Sequence, residues 1–205
     1  MKKLIKVCGM RESQNIEELS ELDIDMMGMI FYPKSPRYIE KVPVLSGELN
    51  IDKVGVFVNS NSTEILEKVD EFNLNIVQLH GNEKADCCND ISDSGVVVMK
   101  AFGIDEGFDF SVLEEYERSV SMFVFDTKTK DYGGSGKKFN WNKLKEYKGN
   151  IPFLLSGGIG PNDIAEVLNF EHPKYAGVDL NSGFEIKPAL KNIDLLKEFI
   201  KKYRN

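Results

Sequence analysis

The sequence predicts an α/β fold, a single-domain (β/α)8 barrel of the TIM type with eight parallel strands, on three observations. The chain has 205 residues, which suits one compact domain. Eight short apolar, β-branched runs begin about 20–30 residues apart, close to the size of one βα unit. Most of these runs are continuously apolar, as expected of parallel strands that are buried on both faces.

Each predicted element follows from a local pattern. The strands are expected at residues 4–8, 26–31, 53–58, 76–79, 96–101, 122–126, 152–156 and 176–179. Helical periodicity follows a polar start at 61–64, begins again at Pro161, and recurs over residues 192–203. The stretch around Pro43 is a poor helix, so the second crossover is expected to be irregular. A doubly wound open sheet remains the competing architecture.

Composition and charge restrict the partners and the compartment. The 26 basic and 33 acidic residues give a net charge of −7, which disfavours general binding to nucleic acid or to anionic membranes. The chain has three cysteines, and no secretory leader or apolar span is recognisable, so we expect a reduced, cytoplasmic protein. Neither metal-ligand spacing nor a nicotinamide-binding glycine motif occurs, so we expect neither metal nor redox cofactor.

Two residues stand where barrel enzymes carry their chemistry, at the carboxyl ends of the strands. Cys8 ends the first strand and precedes Gly9, and a lowered pKa there would make it a base or a nucleophile. Asp126 ends the sixth strand and suits a general acid. The competing interpretations are a small buried cysteine and an aspartate that caps the next turn.

Glycine-rich turns follow the seventh and eighth strands and predict a phosphate site. Gly157 and Gly158 precede a helix, and Ser182 and Gly183 follow the eighth strand. Such turns let backbone N–H groups approach a phosphate, and barrels frequently place phosphate there. Asp179, at the end of the eighth strand, is interpreted as a structural residue that hydrogen-bonds within the loop.

Three further features could line the mouth of the barrel. Arg37 lies on a proline-stiffened loop after the second strand and suits a bidentate clamp for a carboxylate, although most arginines are solvated. His80 follows the fourth strand and either lines the pocket or packs locally. Residues 128–137 contain Gly133, Gly134 and Gly136 and form either a lid or an inert turn.

Taken together, these residues resemble the phosphoribosylanthranilate isomerase family of tryptophan biosynthesis over nearly the whole chain. No single motif is specific, but their joint order and spacing are. The matching segments are 6–10, 31–37, 55–59, 77–81, 100–102, 125–126, 133–136, 139–141, 156–159 and 177–185. Two departures occur: the stretch 185–192 lacks the glycine usual after Pro188, and Asn140 replaces the common aspartate before Trp141.

The resemblance implies a function for each candidate. The family catalyses an Amadori rearrangement of N-(5-phosphoribosyl)anthranilate to 1-(2-carboxyphenylamino)-1-deoxyribulose 5-phosphate without a cofactor. The resemblance implies that Cys8 is the general base and Asp126 the general acid, and that Arg37 binds the anthranilate carboxylate. It also implies that the phosphate is bound by Gly157, Gly158, Ser182 and Gly183.

Two alternatives remain open. One is another phosphosugar isomerase or epimerase built on the same barrel, and the other is a noncatalytic barrel that binds a phosphate ligand. Retention of Cys8, Asp126 and Arg37 together favours catalysis, because binding alone needs neither an acid nor a base. The small-molecule substrate is the expected partner, and association with other enzymes of tryptophan biosynthesis is left open, as is the oligomeric state.

Overall fold

Eight parallel strands close into a barrel in the computed structural model, which describes residues 2–129 and 138–205. The strands are β1 (Leu4–Cys8), β2 (Met26–Ile30), β3 (Asp52–Phe57), β4 (Ile76–Leu79), β5 (Val97–Ile104), β6 (Met122–Thr127), β7 (Phe153–Leu155) and β8 (Tyr175–Leu180). Pairing runs in sequence order, and β8 pairs with β1 to close the ring. The predicted barrel is therefore confirmed, and the closure excludes the doubly wound sheet.

Five α-helices cover the outside of the barrel in the described residues. They are α1 (Ser13–Ser20), α2 (Ser62–Phe72), α3 (Ala85–Asp93), α4 (Ile164–Leu168) and α5 (Ile193–Arg204). Asn61 and Asn192 cap α2 and α5, since each side-chain oxygen accepts a hydrogen bond from a first-turn N–H. Helix α5 buries Leu196, Phe199 and Ile200, each of which contributes roughly 1.5–3 kcal/mol of hydrophobic stabilisation.

Some crossovers are shorter than a helical βα unit. The stretch from β2 to β3 contains no α-helix, as predicted, and only a bridge between Ile30 and Tyr38 interrupts it. The 3-10 helices Phe110–Tyr116 and Trp141–Glu146 lie between β5 and β6 and between β6 and β7. Asn140 caps the second of them, since its side-chain oxygen accepts a hydrogen bond from the N–H of Asn142. These short connections explain how 205 residues close a barrel.

Alternation along the strands separates an outer layer from a barrel interior. The outer side chains pack against the helices in the main core, whereas a smaller apolar cluster fills the interior. The interior cluster comprises Met26, Val54, Ile76, Met99, Ala101, Val124 and Leu154. Buried polar residues also occupy the barrel strands, among them Lys6, Gln78 and Asp179. Their presence in an apolar core points to a site at the carboxyl ends of the strands.

After β8 the chain makes a 3-10 turn, Ser182–Phe184, and then a hairpin of β9 (Glu185–Lys187) and β10 (Leu190–Lys191). Ala189, which follows Pro188, has a φ of +66°. Glycine adopts this left-handed conformation without strain, whereas an alanine Cβ makes it unfavourable by about 1–2 kcal/mol. The chain therefore adopts at Ala189 a backbone conformation that suits glycine better than alanine.

Candidate active site

Cys8 ends β1 and lies almost completely buried at the mouth of the barrel. Burial raises the pKa of its thiol, while the charges of Lys6 and Lys191 act in the opposite direction. The expectation of a lowered pKa is therefore wrong, because burial is the larger effect. Two nearby ammonium groups nevertheless provide the means to stabilise a thiolate.

Asp126 lies in β6, on the other side of the mouth, and its carboxylate is already oriented. Its Oδ1 accepts a hydrogen bond from the N–H of Thr127 at 2.7 Å. Its Oδ2 lies 3.4 Å from Nε2 of His80. Because Gln78 donates from its amide nitrogen to Nδ1 of His80 at 2.8 Å, the neutral imidazole carries its proton on Nε2 and faces Asp126.

His80, which was predicted either to line the pocket or to pack locally, therefore lies beside the predicted acid. His80 and Asp126 also line a cavity of about 500 Å³ together with Gly103 and Thr129. The cavity has room for a small polar ligand next to the Asp126 carboxylate. Of the loop 128–137, predicted to form either a lid or an inert turn, residues 130–137 lie outside the described part of the chain.

Arg37 is buried and held by a carboxylate that sequence reasoning missed. Its Nε and Nη2 donate to the two oxygens of Glu185 at 2.8 and 2.6 Å, a bidentate pair. Glu185 also accepts from Nζ of Lys191 at 2.6 Å, and Lys191 donates in turn to Asn181. Although burial opposes it, hydrogen bonding to Arg37 and the Lys191 charge lower the pKa of Glu185.

This cluster of Arg37, Lys191 and Glu185 carries a net positive charge next to Cys8. The link is Gly9, directly after Cys8, where a Cβ would lie 2.7 Å from Cδ of Arg37 and 3.3 Å from Nζ of Lys191. Gly9 also has a φ of +79°, so both its backbone and its surroundings favour glycine. The arrangement places a positive subsite beside the thiol, which suits an anionic group of a substrate.

The predicted phosphate turns lie against each other. A Cβ at Gly183 would collide with the carbonyl oxygen of Ile159 and lie 2.9 Å from Cα of Gly160. Gly157 and Gly158 have φ values of +87° and +66°, and a Cβ at Gly157 would lie 2.8 Å from Oδ1 of Asp126. The turn after β7 thus approaches both the Gly183 turn and the predicted acid.

Backbone N–H groups in these turns are available for an anion. Within residues 2–129 and 138–205, the N–H groups of Gly157, Gly158, Ser182 and Gly183 donate to no protein acceptor. Several unpaired N–H groups in adjacent turns form a concave site of the kind that binds phosphate. Around the whole mouth, the described residues contain no cluster of histidine, cysteine and acidic side chains that could hold a metal ion.

Asp179 occupies a different place from the one we predicted. It does not bond within the loop but lies inside β8, where its Oδ1 accepts from Nζ of Lys6 at 2.9 Å. The prediction was wrong because β8 continues to Leu180 and the pleat turns Asp179 into the barrel. The charges of Asp126 and His80 also act on Asp179, so it lies between the thiol side and the acid side of the mouth.

Comparison with known proteins agrees with this geometry. The model of the N-(5'-phosphoribosyl)anthranilate isomerase family matches residues 5–202. The chain belongs to this family. A member from Parabacteroides distasonis is 50% identical over 202 residues, covering 96% of this chain and 91% of that relative. The member from Phocaeicola vulgatus is 46% identical over 197 residues and covers 96% of both chains.

Solved structures of family members share the fold. The phosphoribosylanthranilate isomerase from Thermotoga maritima aligns with a TM-score of 0.84 at 33% identity and covers 98% of both chains. A second family structure, in complex with reduced 1-(o-carboxyphenylamino)-1-deoxyribulose 5-phosphate, aligns with a TM-score of 0.80 at 29% identity, again over 98% of both chains. None of the helices in the described ranges is long and apolar enough to cross a membrane.

Proposed function

We propose that this chain isomerises N-(5'-phosphoribosyl)anthranilate to 1-(2-carboxyphenylamino)-1-deoxyribulose 5-phosphate, a step of tryptophan biosynthesis in the cytoplasm. One observation carries the proposal: in a member of this family, a buried thiol at the end of β1 and an oriented carboxylate on β6 face the same mouth. An acid and a base at one mouth suit a reaction that consists of proton transfers.

In the proposed mechanism, Asp126 acts first and Cys8 second. Asp126 protonates the ring oxygen of the ribose, the ring opens, and an electron-withdrawing Schiff base forms. This group acidifies the C2′ proton, which the Cys8 thiolate removes. The resulting enolamine tautomerises to the ketone, so the reaction needs no metal or redox cofactor. Asp126 enters this step in its protonated form, and after it has given up its proton the Nε2–H of His80, 3.4 Å away, stabilises the carboxylate that is left.

The substrate is bound by the positive subsite and by the glycine turns. Arg37 binds the anthranilate carboxylate while Glu185 fixes the plane of its guanidinium through Nε and Nη2. The N–H groups of Gly157, Gly158, Ser182 and Gly183 bind the phosphate. Since the whole chain is acidic, a doubly anionic substrate depends on these local donors.

The test is a direct assay of the decrease in anthranilate-type fluorescence with freshly made substrate. We predict that Cys8→Ser and Asp126→Asn each lower kcat by roughly 10²–10⁴-fold, the usual contribution of general acid or base catalysis. Cys88→Ala, in α3 away from the mouth, and Asp105→Asn, an exposed carboxylate after β5, serve as matched controls. No turnover by the folded chain would reject the function, and near-normal turnover of a mutant would reject the assigned role.

Arg37 has a separate test. We predict that Arg37→Ala raises KM roughly 10–100-fold, the effect expected when a charged hydrogen-bond donor is lost. Inhibition by inorganic phosphate alone should stay unchanged, because the phosphate turns are separate from Arg37. Equal weakening of substrate and phosphate would contradict the clamp. The remaining Lys191 keeps Glu185 paired in this variant, so the fold is retained.

A further inference from the structure

Lys6 is a fully buried ammonium group that the proposed mechanism does not yet use. It lies on β1 two residues before Cys8, so both side chains point to the same side of the strand. A buried charged group needs a counter-charge, because removing the charge from water costs free energy. A lysine in an otherwise apolar strand is therefore unfavourable for stability unless it is paired. The position therefore calls for an explanation beyond packing.

Asp179 holds the Lys6 ammonium in place across the seam between the first and last strands. The two residues are register partners of β1 and β8, and their charged groups lie 2.9 Å apart. Burial alone would lower the pKa of Lys6, but the charges of Asp179 and Cys8 outweigh it and raise this pKa. Lys6 is therefore positively charged at neutral pH.

Gly28 on β2 provides the space in which the ammonium and the thiol meet. Gly28 is the register partner of Cys8, and a Cβ on it would lie 2.8 Å from Sγ of Cys8 and 3.2 Å from Nζ of Lys6. The sulfur and the ammonium thus share the volume that a side chain on β2 would fill. The positive charge of Lys6 also acts on Cys8 and favours the thiolate.

We propose that Lys6 is a positioning residue for the base: its ammonium, anchored by Asp179, stabilises the Cys8 thiolate. The inference rests on the proposed function, in which that thiolate takes the C2′ proton. In this step the S–H bond forms as the C–H bond breaks, and the electron pair of the C–H bond passes into the Schiff base. Lys6 keeps its own protons throughout and responds only to the charge on sulfur.

Other charged groups also act on the pKa of Cys8, some in the same direction as Lys6 and some against it. Lys191 on β10 also favours the thiolate, whereas Asp179 on β8 opposes it. Lys191 is shared with Glu185 and lies near Arg37, and Asp179 is also influenced by Asp126 and His80. Lys6 is the positive group on the same strand face as the thiol, so its removal should have a large effect.

The experiment measures thiolate formation directly, without substrate. Thiolates absorb near 240 nm, so the pH titration of each protein is compared with that of the same protein carrying Cys8→Ser. We expect Lys6→Met and Lys6→Gln to require at least a tenfold lower proton concentration for the Cys8 thiolate to form. Lys6→Gln keeps a hydrogen bond to Asp179 without the charge. Lys53→Met, on β3 with its ammonium on the carbonyl of Phe72, is the control.

Kinetics then separate a charge effect from general damage. The neutral variants should lose at least tenfold in kcat/KM at neutral pH and regain it as the pH rises, whereas a structural defect would lower kcat/KM by the same factor at every pH. Lys6→Arg keeps the charge and should form the thiolate near the wild-type pH, and this variant carries the test if neither neutral variant folds.

An unchanged Cys8 titration in a folded neutral variant would overturn the proposal, as would a tenfold shift in folded Lys6→Arg. These failures are distinct from failure of the function itself. Absence of turnover in the wild-type chain would reject the isomerase activity, while the titration reports on Lys6 and Cys8 without any substrate.

Discussion

Among the buried lysine–carboxylate pairs of the described residues, those of Lys6 and Lys100 differ in what surrounds them. Lys6 pairs with Asp179 inside the barrel, and Lys100 pairs with Glu83 in the layer outside it, at 2.9 and 3.2 Å. Both lysines are almost completely buried. By burial and distance alone the two pairs are equivalent.

The two pairs differ in their other hydrogen-bond partners. Lys100 also donates to the backbone carbonyls of Leu79, Gly81 and Ala101, and Glu83 accepts from the N–H groups of Asn59 and Gly81. This pair therefore binds backbone from several loops and fixes their shape. Lys6 bonds one carboxylate oxygen and has donors left for the thiol. The backbone contacts of Lys100 indicate a structural role, whereas the role proposed for Lys6 depends on the donors that it has left for Cys8.

The largest expected effect comes from breaking the outer pair. Lys100→Met should lower the free energy of unfolding by about 3–5 kcal/mol, because it removes one partner of a buried ion pair and the donor to three carbonyls. The kcat of the protein that remains folded should fall by less than tenfold. Denaturant unfolding and the fluorescence assay measure both quantities. A greater loss of activity than in Lys6→Met would break the distinction between the two pairs.

A methyl group added inside or outside the barrel gives a smaller and sharper contrast. Gly28→Ala would press on Cys8 and Lys6, and should lower kcat/KM about tenfold along with a stability loss of about 1–3 kcal/mol. Gly55→Ala is the matched control on β3, where the new Cβ would collide with Leu74 and lie 2.8 Å from Phe57 in the outer layer. It should lose stability without losing activity. Similar activity losses in both variants would argue against a special role for the space over Gly28.

The smallest expected effect is the alkaline pH dependence of stability, which should have opposite sign for the two lysines. The pKa of Lys6 is raised, so its contribution is complete below pH 10.5, the ordinary lysine value, and is lost as the pH rises through the folded-state value. Burial lowers the pKa of Lys100, so its contribution grows as the pH rises toward 10.5.

Unfolding free energies of the wild type minus those of Lys6→Met and of Lys100→Met isolate each group. Each difference should change by up to about 1.4 kcal/mol per pH unit within its window. If the two differences changed with pH in the same direction, the folded structure would shift the pKa values of both ammonium groups in the same direction, contrary to this prediction.

Much of the fold could be predicted from the sequence because it depends on local patterns. Each barrel strand is an apolar run, and each predicted run overlaps an observed strand. The irregular crossover around Pro43 was also predictable, because proline interrupts a helix. The 3-10 crossovers Phe110–Tyr116 and Trp141–Glu146 were not, since their short length reflects the space left on the closed barrel.

The site was predictable only where position along one strand decides it. Cys8 and Asp126 follow from strand ends, but the partners of Lys6 and Arg37 depend on register between distant segments. Lys6 and Asp179 are 173 residues apart, and Arg37 and Glu185 are 148 apart. One local signal was available: a lysine within the apolar run of β1 has no solvent-exposed face to occupy. That signal identifies a buried charge without identifying its partner.

The seam between β1 and β8 also has a consequence for folding. The charged groups that act on the thiol, Lys6, Asp179 and Lys191, come from β1 and from residues 179–191, so they meet only when the ring closes. Contacts of such large sequence separation form late, because the loop-closure entropy must be overcome before they can contribute. Until the eighth strand docks, Cys8 therefore lacks both Lys191 and the Asp179 carboxylate that anchors Lys6. The electrostatic environment of Cys8 is therefore complete only when folding is complete.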